Sequence, residues 1–211
     1  MKFKIIENQY FGCVNWYSLL FNETNIELDA CESWQKMSFR NRCVVAGSNG
    51  LIQLTVPLQK GRNQKAQIRE IQIDNNHRWQ EQHWRTIFSC YGKAPFFEFY
   101  EGWLQQFYQK RFDLLFDMNL EIVEWVKKLL KQTVPLNVRV TKLAGTEESV
   151  IDYRNRWLPK NFQQGEFVKY NQVFEDRIGF QSNLSILDLL FNEGPNTFHV
   201  LRQQNGFLQA L

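Results

Sequence analysis

His83 is the side chain whose chemistry stands out first. An imidazole titrates near neutrality, which suits it to general-base work, and this one sits in E-Q-H-W-R-T (81–86), within a stretch of helical periodicity. Ile87 and Cys90 follow at four and seven residues and share its face. A Cys–His nucleophile pair does not follow, because seven residues at about 1.5 Å each put the two groups roughly 10 Å apart along a helix. Cys90 therefore reads as a small core residue, and His83 as either a base or a structural histidine. A metal centre has no support. His77 and His83 are wrongly spaced for one helical face, and Cys13, Cys31, Cys43 and Cys90 contain no C-x-x-C pair. The phosphate loop G-x-x-x-x-G-K-[ST], the dinucleotide fingerprint G-x-G-x-x-G and the nucleophile elbow G-x-S-x-G are also missing, and no motif names a cofactor.

A second kind of chemistry is written in charge. From Lys36 to Arg69 there are seven cations (Lys36, Arg40, Arg42, Lys60, Arg62, Lys65, Arg69) and no Asp or Glu, although the whole chain carries only +3. Such asymmetry points to an anionic partner. Arginine offers a planar fork that matches carboxylate or phosphate, and lysine adds a point charge; the plain alternative is a solvated polar sheet face. Lys36, Arg40 and Arg42 lie in Q-K-M-S-F-R-N-R-C (35–43), which leads into a hairpin centred on Asn49-Gly50, a pair suited to the positive φ angles of a type I′ turn. That centre pairs Val45 with Leu54, Cys43 with Val56 and Arg42 with Pro57. Alternation then gathers Val45, Cys43, Leu54 and Val56 on an apolar face, and Val44, Arg42, Arg40, Gln53 and Thr55 on the other. Pro57 cannot donate to the ladder, so pairing ends beside Arg42, near the loop QKGRNQK (59–65) that carries Lys60. Tyr91 and Lys93 are placed to join this site, although G-K-A-P (92–95) also reads as a helix terminator. Ser185 and Asp188 have the spacing of a capping box, and Asp188 and Asn192 share a helical face, which leaves Asp188 with a capping role or a substrate contact.

The elements that must position these groups follow from periodicity. FKII (3–6), NIELDA (25–30), the hairpin and IREIQID (68–74) read as strands, with a helix through NWYSLLF (15–21) between the first two. Helices are expected over 78–92, 96–112, 113–131 and 183–194, with a last one after Pro195; VPLNVRV (134–140) reads as a strand, and much of 132–180 as irregular connection. Strands in the first third with helices after them predict an α/β or α+β fold with a mixed sheet. The 211 residues suit a single domain spanning 1–211. Hydrophobic residues at 44% and charged residues at 22% exclude a disordered chain, and 15% aromatics foretell a ring-rich core. The N-terminus lacks the apolar run and cleavage site of a signal peptide, and no stretch approaches the roughly 18 apolar residues of a membrane span. A cytoplasmic protein with reduced thiols is expected. The modest pI of about 8.6 argues against a large nucleic-acid footprint.

Several stretches together resemble the WbqC-like protein family: Q-K-M-S-F-R-N-R-C (35–43), L-T-V-P (54–57), W-x3-H-W-x-T-I from Trp79 to Ile87, Y-G-K-A-P (91–95) and L-S-I-L-D-L-L-F-N-E-G (184–194). The family usually opens with Q-P-x-Y-x-P; here Tyr10 matches the tyrosine, while Asn8 and Gly12 stand at the proline positions. The resemblance implies a role in O-antigen or other surface-polysaccharide synthesis, with transfer of glycine or another acyl or aminoacyl group onto an amino sugar. Carried over position by position, it implicates Tyr10, Gln35, Lys36, Arg40, Asn41, Arg42, His83, Tyr91, Asp188 and Asn192. Lys36, Arg40 and Arg42, with Lys60 beside them, would hold a phosphate or carboxylate of an anionic small molecule or glycan precursor. His83 would deprotonate the acceptor amine, and Tyr91 or Asn41 would orient the acceptor or donate to the oxyanion. The alternative is a non-catalytic binding protein for a nucleotide sugar or other phosphorylated ligand. Oligomeric state is not fixed by the sequence.

Overall fold

The computed structural model describes residues 3–61, 63–141 and 150–209, so Arg62 of the cation set lies outside the described residues. In chain order the elements are β1 (Phe3–Ile6), α1 (Val14–Asn22), β2 (Ile26–Asp29), β3 (Arg42–Gly47), β4 (Gly50–Thr55), α2 (Trp79–Tyr91), α3 (Phe97–Gln109), α4 (Leu115–Leu129), β5 (Asn137–Arg139), β6 (Val150–Asp152), α5 (Glu175–Ile178), α6 (Ile186–Glu193) and α7 (Thr197–Gln209). Two sheets result. One is wholly parallel, in the order β5-β2-β1-β6; the other is the antiparallel hairpin β3-β4. This is an α/β fold.

β1 lies inside the parallel sheet, with Lys4 opposite Ile26 on one side and Ile151 on the other. Its apolar residues Ile5 and Ile6 are buried, as are Ile26 and Leu28 of β2, in keeping with a parallel sheet covered on its faces. Every residue of α1 from Val14 to Phe21 is buried, because this short helix is apolar around most of its circumference and packs against α6 and α7. The aromatic wealth of the sequence collects among α2, α3 and α4, where Trp103 and Trp125 stack with ring centroids 3.9 Å apart and Phe107 stacks on Trp103.

Three sequence expectations change. The hairpin turns at Ser48 and Asn49, so Cys43 faces Leu54 and Arg42 faces Thr55. The positive φ falls on Gly50 (φ 132), while Ser48 and Asn49 are not among the positive-φ residues, so the turn is not type I′. The register is displaced by two residues, and an even displacement leaves every side chain on its expected face. The polar face of β3 is nevertheless not solvated: all six of its residues are buried, because α6 comes against its edge, with Ser185 N–H donating to the Val44 carbonyl at 2.9 Å. IREIQID is no strand. Its first residues form a 3-10 turn (Ile68–Glu70) closed by a capping box between Gln67 and Glu70, and only isolated bridges, Leu58 to Ile73 and Gln72 to Leu114, mark the rest. The alternation is real, with Ile71 and Ile73 buried, but it serves packing rather than a ladder. The parallel sheet, finally, draws half its strands from beyond the long helices: β5 lies within VPLNVRV, and β6 is a three-residue strand that carries no alternation signal.

Gly194 ends α6 at φ 50, and a Cβ there would sit 2.4 Å from the Phe96 ring. Gly194→Ala combines backbone strain with overpacking and is expected to destabilise the protein by about 2–4 kcal/mol, measured as a lowered urea midpoint. A midpoint equal to that of the parent would contradict the close packing of α6 on the Phe96 ring.

Candidate functional site

In an open parallel sheet, ligands bind outside the carboxyl ends of the strands where the strand order reverses. The chain passes from β1 to β2 to β5 in one direction and returns with β6 on the opposite side of β1, so the reversal falls between β1 and β6. The residues that leave the strands there are charged. β1 runs into Glu7, β2 ends at Asp29 and continues to Glu32, and β6 ends at Asp152 and continues to Arg154 and Asn155.

These groups form two hydrogen-bonded clusters, one around Arg40 and one around Arg154, that lie close enough to act on one another electrostatically. Arg40, with no exposed side-chain surface, donates from Nε to Glu32 Oε1 at 2.7 Å and from Nη2 to Glu32 Oε2. Its Nη1 donates to Asn155 Oδ1 at 2.9 Å. Asn155 N–H reaches Glu7 Oε2 at 3.1 Å, and Gln9 Nε2 donates to Glu7 Oε1 at 2.7 Å. Arg154 bridges Asp29 and Asp152, with Nη1 2.6 Å from Asp29 Oδ2 and Nη2 2.6 Å from Asp152 Oδ2. Burial, with Glu7 and Asp29 nearby, pushes the Glu32 carboxyl up to about 7 against the pull of Arg40. The hydrogen bonds from Arg154 hold Asp152 below the usual carboxylate range in spite of partial desolvation. Asp152 is the solvent face of the cluster, its side chain 46% exposed.

The helix end at this reversal is closed to ligands. Cys13 N–H goes to Gln9 Oε1 at 3.3 Å, Val14 N–H to the Leu184 carbonyl at 3.0 Å and Asn15 N–H to Asn183 Oδ1 at 2.8 Å. The donors with which a nucleotide-binding fold cradles phosphate are already occupied by protein, in accord with the missing glycine-rich fingerprint.

The residues singled out by sequence divide among separate surroundings. Arg40 is the centre of the cluster with Glu32 and Asn155 rather than an open anion fork. Asn41 donates to the Val56 carbonyl at 2.8 Å and ties the two strands below the hairpin. Arg42 is buried, with Nη1 3.8 Å from Met37 Sδ. Gln35, Lys36 and Lys60 are exposed, Lys60 beside a cleft with Gln64 and Glu70. His83 lies close to the hairpin, where the Thr55 backbone acts to raise its pKa against the stronger effect of burial. Its Nδ1 lies 2.9 Å from Tyr10 Oη, a hydrogen bond whose donor is set by the imidazole tautomer, and Tyr10 Oη in turn meets Tyr108 Oη at 2.7 Å. His83 is only 5% exposed, and burial drives its pKa down to about 4. Tyr91 Oη donates to Asp188 Oδ1 at 2.7 Å while accepting from Ala46 N–H at 2.9 Å. Asp188 Oδ2 accepts from Tyr170 and Gln172, and its burial lifts the carboxyl to about 6. The capping box is therefore half formed: Ser185 Oγ caps Leu187 N–H at 3.3 Å, but Asp188 turns inward to the tyrosines. Asn192 donates to the Asp188 carbonyl. Among the described residues no cluster of His, Cys, Asp and Glu is arranged to hold a metal ion.

Sequence reading missed Glu7, Asp29, Glu32, Asp152, Arg154 and Asn155. Their shared signal is position just after a parallel strand, and it is visible only once β6 is known to sit beside β1.

The fold and site thus define an open parallel α/β protein with a buried ionic network at its strand-order reversal. The chain belongs to the WbqC-like protein family, whose model matches residues 9–156. It is similar to an uncharacterized protein of Mycobacterium tuberculosis (strain H37Rv), Rv1507c, with 28% identity over 235 residues, covering 95% of this chain and 97% of the relative. No solved structure matches significantly. Among the described residues no helix is long and apolar enough to cross a membrane.

The His83 surroundings set a pH dependence. The folded protein keeps the imidazole neutral down to about 4, whereas the unfolded chain takes a proton near its ordinary value of about 6.5. The unfolded state therefore binds more protons between these values, so the stability from this group is whole above the upper value and is lost as the pH falls toward the lower. The wild type is expected to lose about 3 kcal/mol relative to His83→Gln across that window, read from urea unfolding of both proteins at each pH. A pH-independent difference would mean that the imidazole titrates normally.

Proposed function

We propose that this protein is a cytoplasmic transferase that moves an acyl or aminoacyl group, glycyl included, onto the amine of an amino sugar during synthesis of a surface polysaccharide such as O-antigen. The observation that carries this proposal is the charge balance at the carboxyl edge. Four carboxylates (Glu7, Asp29, Glu32, Asp152) stand against two guanidinium groups (Arg40, Arg154), and Asp152 opens to solvent. A site with carboxylates in excess favours a cationic ligand, and an amino sugar presents an ammonium group. The resemblance to WbqC-like proteins supports the polysaccharide context.

In this scheme Asp152 holds the acceptor's ammonium group. The amine must lose a proton before it attacks, and since both Glu32 oxygens are held by Arg40 that proton leaves to solvent past Asp152. The nitrogen bonds to the donor's acyl carbon, and the bond from that carbon to the donor's leaving group breaks. Lys36, exposed and four residues beyond Glu32, supplies a cation for an anionic donor. We place the site at the sheet edge rather than at the hairpin because Arg40 already has its carboxylate partner.

Binding without catalysis is favoured by one observation: His83, Tyr91 and Asp188 are all engaged in buried hydrogen bonds. A thermal-shift series with glucosamine and N-acetylglucosamine tests the amine site. Glucosamine near 100 times its dissociation constant is expected to stabilise the wild type by about 2.7 kcal/mol, with no effect from the acetylated sugar and none on Asp152→Asn. Loss of free amine when an aminoacyl thioester is added then separates transfer from binding. Equal responses to the two sugars, or none to either, would defeat the proposal.

A further inference from the structure

A cleft of about 400 Å³ runs along the face of the sheet where Lys4 of β1 and Ile151 of β6 lie side by side, walled by α1 and α7. A smaller cavity of about 130 Å³ continues from it toward the first turn of α1, and Arg156 and Leu208 line both. The larger is of a size that takes small ligands, with an apolar floor of Leu19, Ile151 and Leu208.

Arg156 is the feature that gives this space a chemistry. Its guanidinium carbon lies 5.5 Å from the centroids of both Tyr153 and Trp157, so the group is held between two aromatic side chains. Contact with ring faces stabilises the cation while leaving its in-plane N–H groups to bond elsewhere. Among the described residues Arg156 forms no ion pair. Lys4, the other cation in the cleft, is neutralised by Glu23, and Glu166 lines the smaller cavity without pairing with Arg156. A second and independent observation lies across the smaller cavity. Asn15 is 2% exposed, and its Oδ1 is buried without a hydrogen-bond partner. A buried acceptor left unpaired is costly unless a donor arrives.

We propose that this cleft is a binding site for a small hydroxylated anion, a phosphorylated or carboxylated sugar, whose acidic group bonds Arg156 and whose hydroxyl enters the smaller cavity, where rotation of the Asn15 amide brings its unpaired Oδ1 within reach. The ring lies over the floor of Leu19, Ile151 and Leu208, where a sugar's C–H face replaces water on apolar surface. The site is independent of the amine site, because Arg156 and Asn15 take no part in the ionic network at the sheet edge.

Isothermal titration of the full chain with inorganic phosphate, a hexose monophosphate, the matching hexuronate and the neutral hexose tests it. Both hexose anions are expected to bind, the neutral hexose to fail, and Arg156→Gln to weaken both anions by about tenfold or more, as loss of a charge-assisted pair implies. Asn15→Ser is expected to weaken the hexose anions while leaving inorganic phosphate unchanged, and circular dichroism of each variant checks its fold. A stronger response to the phosphate or to the carboxylate identifies the natural acidic group. Failure of every anion to bind the wild type, or undiminished binding of the hexose anions to both variants, would overturn the inference.

Discussion

The bidentate pair between Arg40 and Glu32 is the interaction on which the arrangement of the carboxyl edge depends. Taking two charges out of water costs several kcal/mol per ion, and only good geometry with further hydrogen bonds offsets it. Both conditions are met: the fork is double, and the remaining guanidinium nitrogen is satisfied by Asn155. Through these contacts one side chain joins the segment after β2, the segment after β6 and the approach to β3. Its carbonyl accepts from Asn119 of α4 at 2.7 Å, which adds a fourth element. The loop after β1 is drawn in by Glu7, held by Asn155 and Gln9. Segments distant in sequence thus converge on one residue, which ties the approach to the hairpin to the parallel sheet.

That convergence explains why the basic stretch 35–43 reads differently in the fold than in the sequence. Counting charges from Lys36 to Arg69 shows cations without acids, yet the partner of Arg40 is Glu32, just outside that window, and its other contact is 115 residues away. A window cannot register a long-range partner. The same blindness hid β6, which is three residues long and gains its meaning from pairing with β1. Helix positions, by contrast, were legible to within a few residues, because the apolar spacing of α2, α3 and α4 is a local property. The faces of the hairpin were legible too, since alternation survives a register error of two. IREIQID misled because alternating burial does not require a ladder.

The polar positions carried over from the family were read one by one, and the fold shows which of them touch. Tyr10 with His83, and Tyr91 with Asp188, are real pairs that the sequence could not join across such separations. They set the helices against the hairpin: Tyr91 Oη accepts from Ala46 N–H, and His83 lies beside Thr55. Low-dielectric hydrogen-bond networks of this kind rigidify a core when every member is satisfied. Beyond these networks the rim of the sheet edge at Asp152 is acidic and exposed, and the cleft at Arg156 is basic.

A double-mutant cycle across Arg40 and Glu32 tests the central claim most directly. Each single replacement by methionine strands a buried charge and should cost about 3–5 kcal/mol of unfolding free energy, while the double replacement should cost far less than the two together. Additivity within about 0.5 kcal/mol would contradict the account, because it would mean that the two side chains do not stabilise one another and that something else assembles the edge.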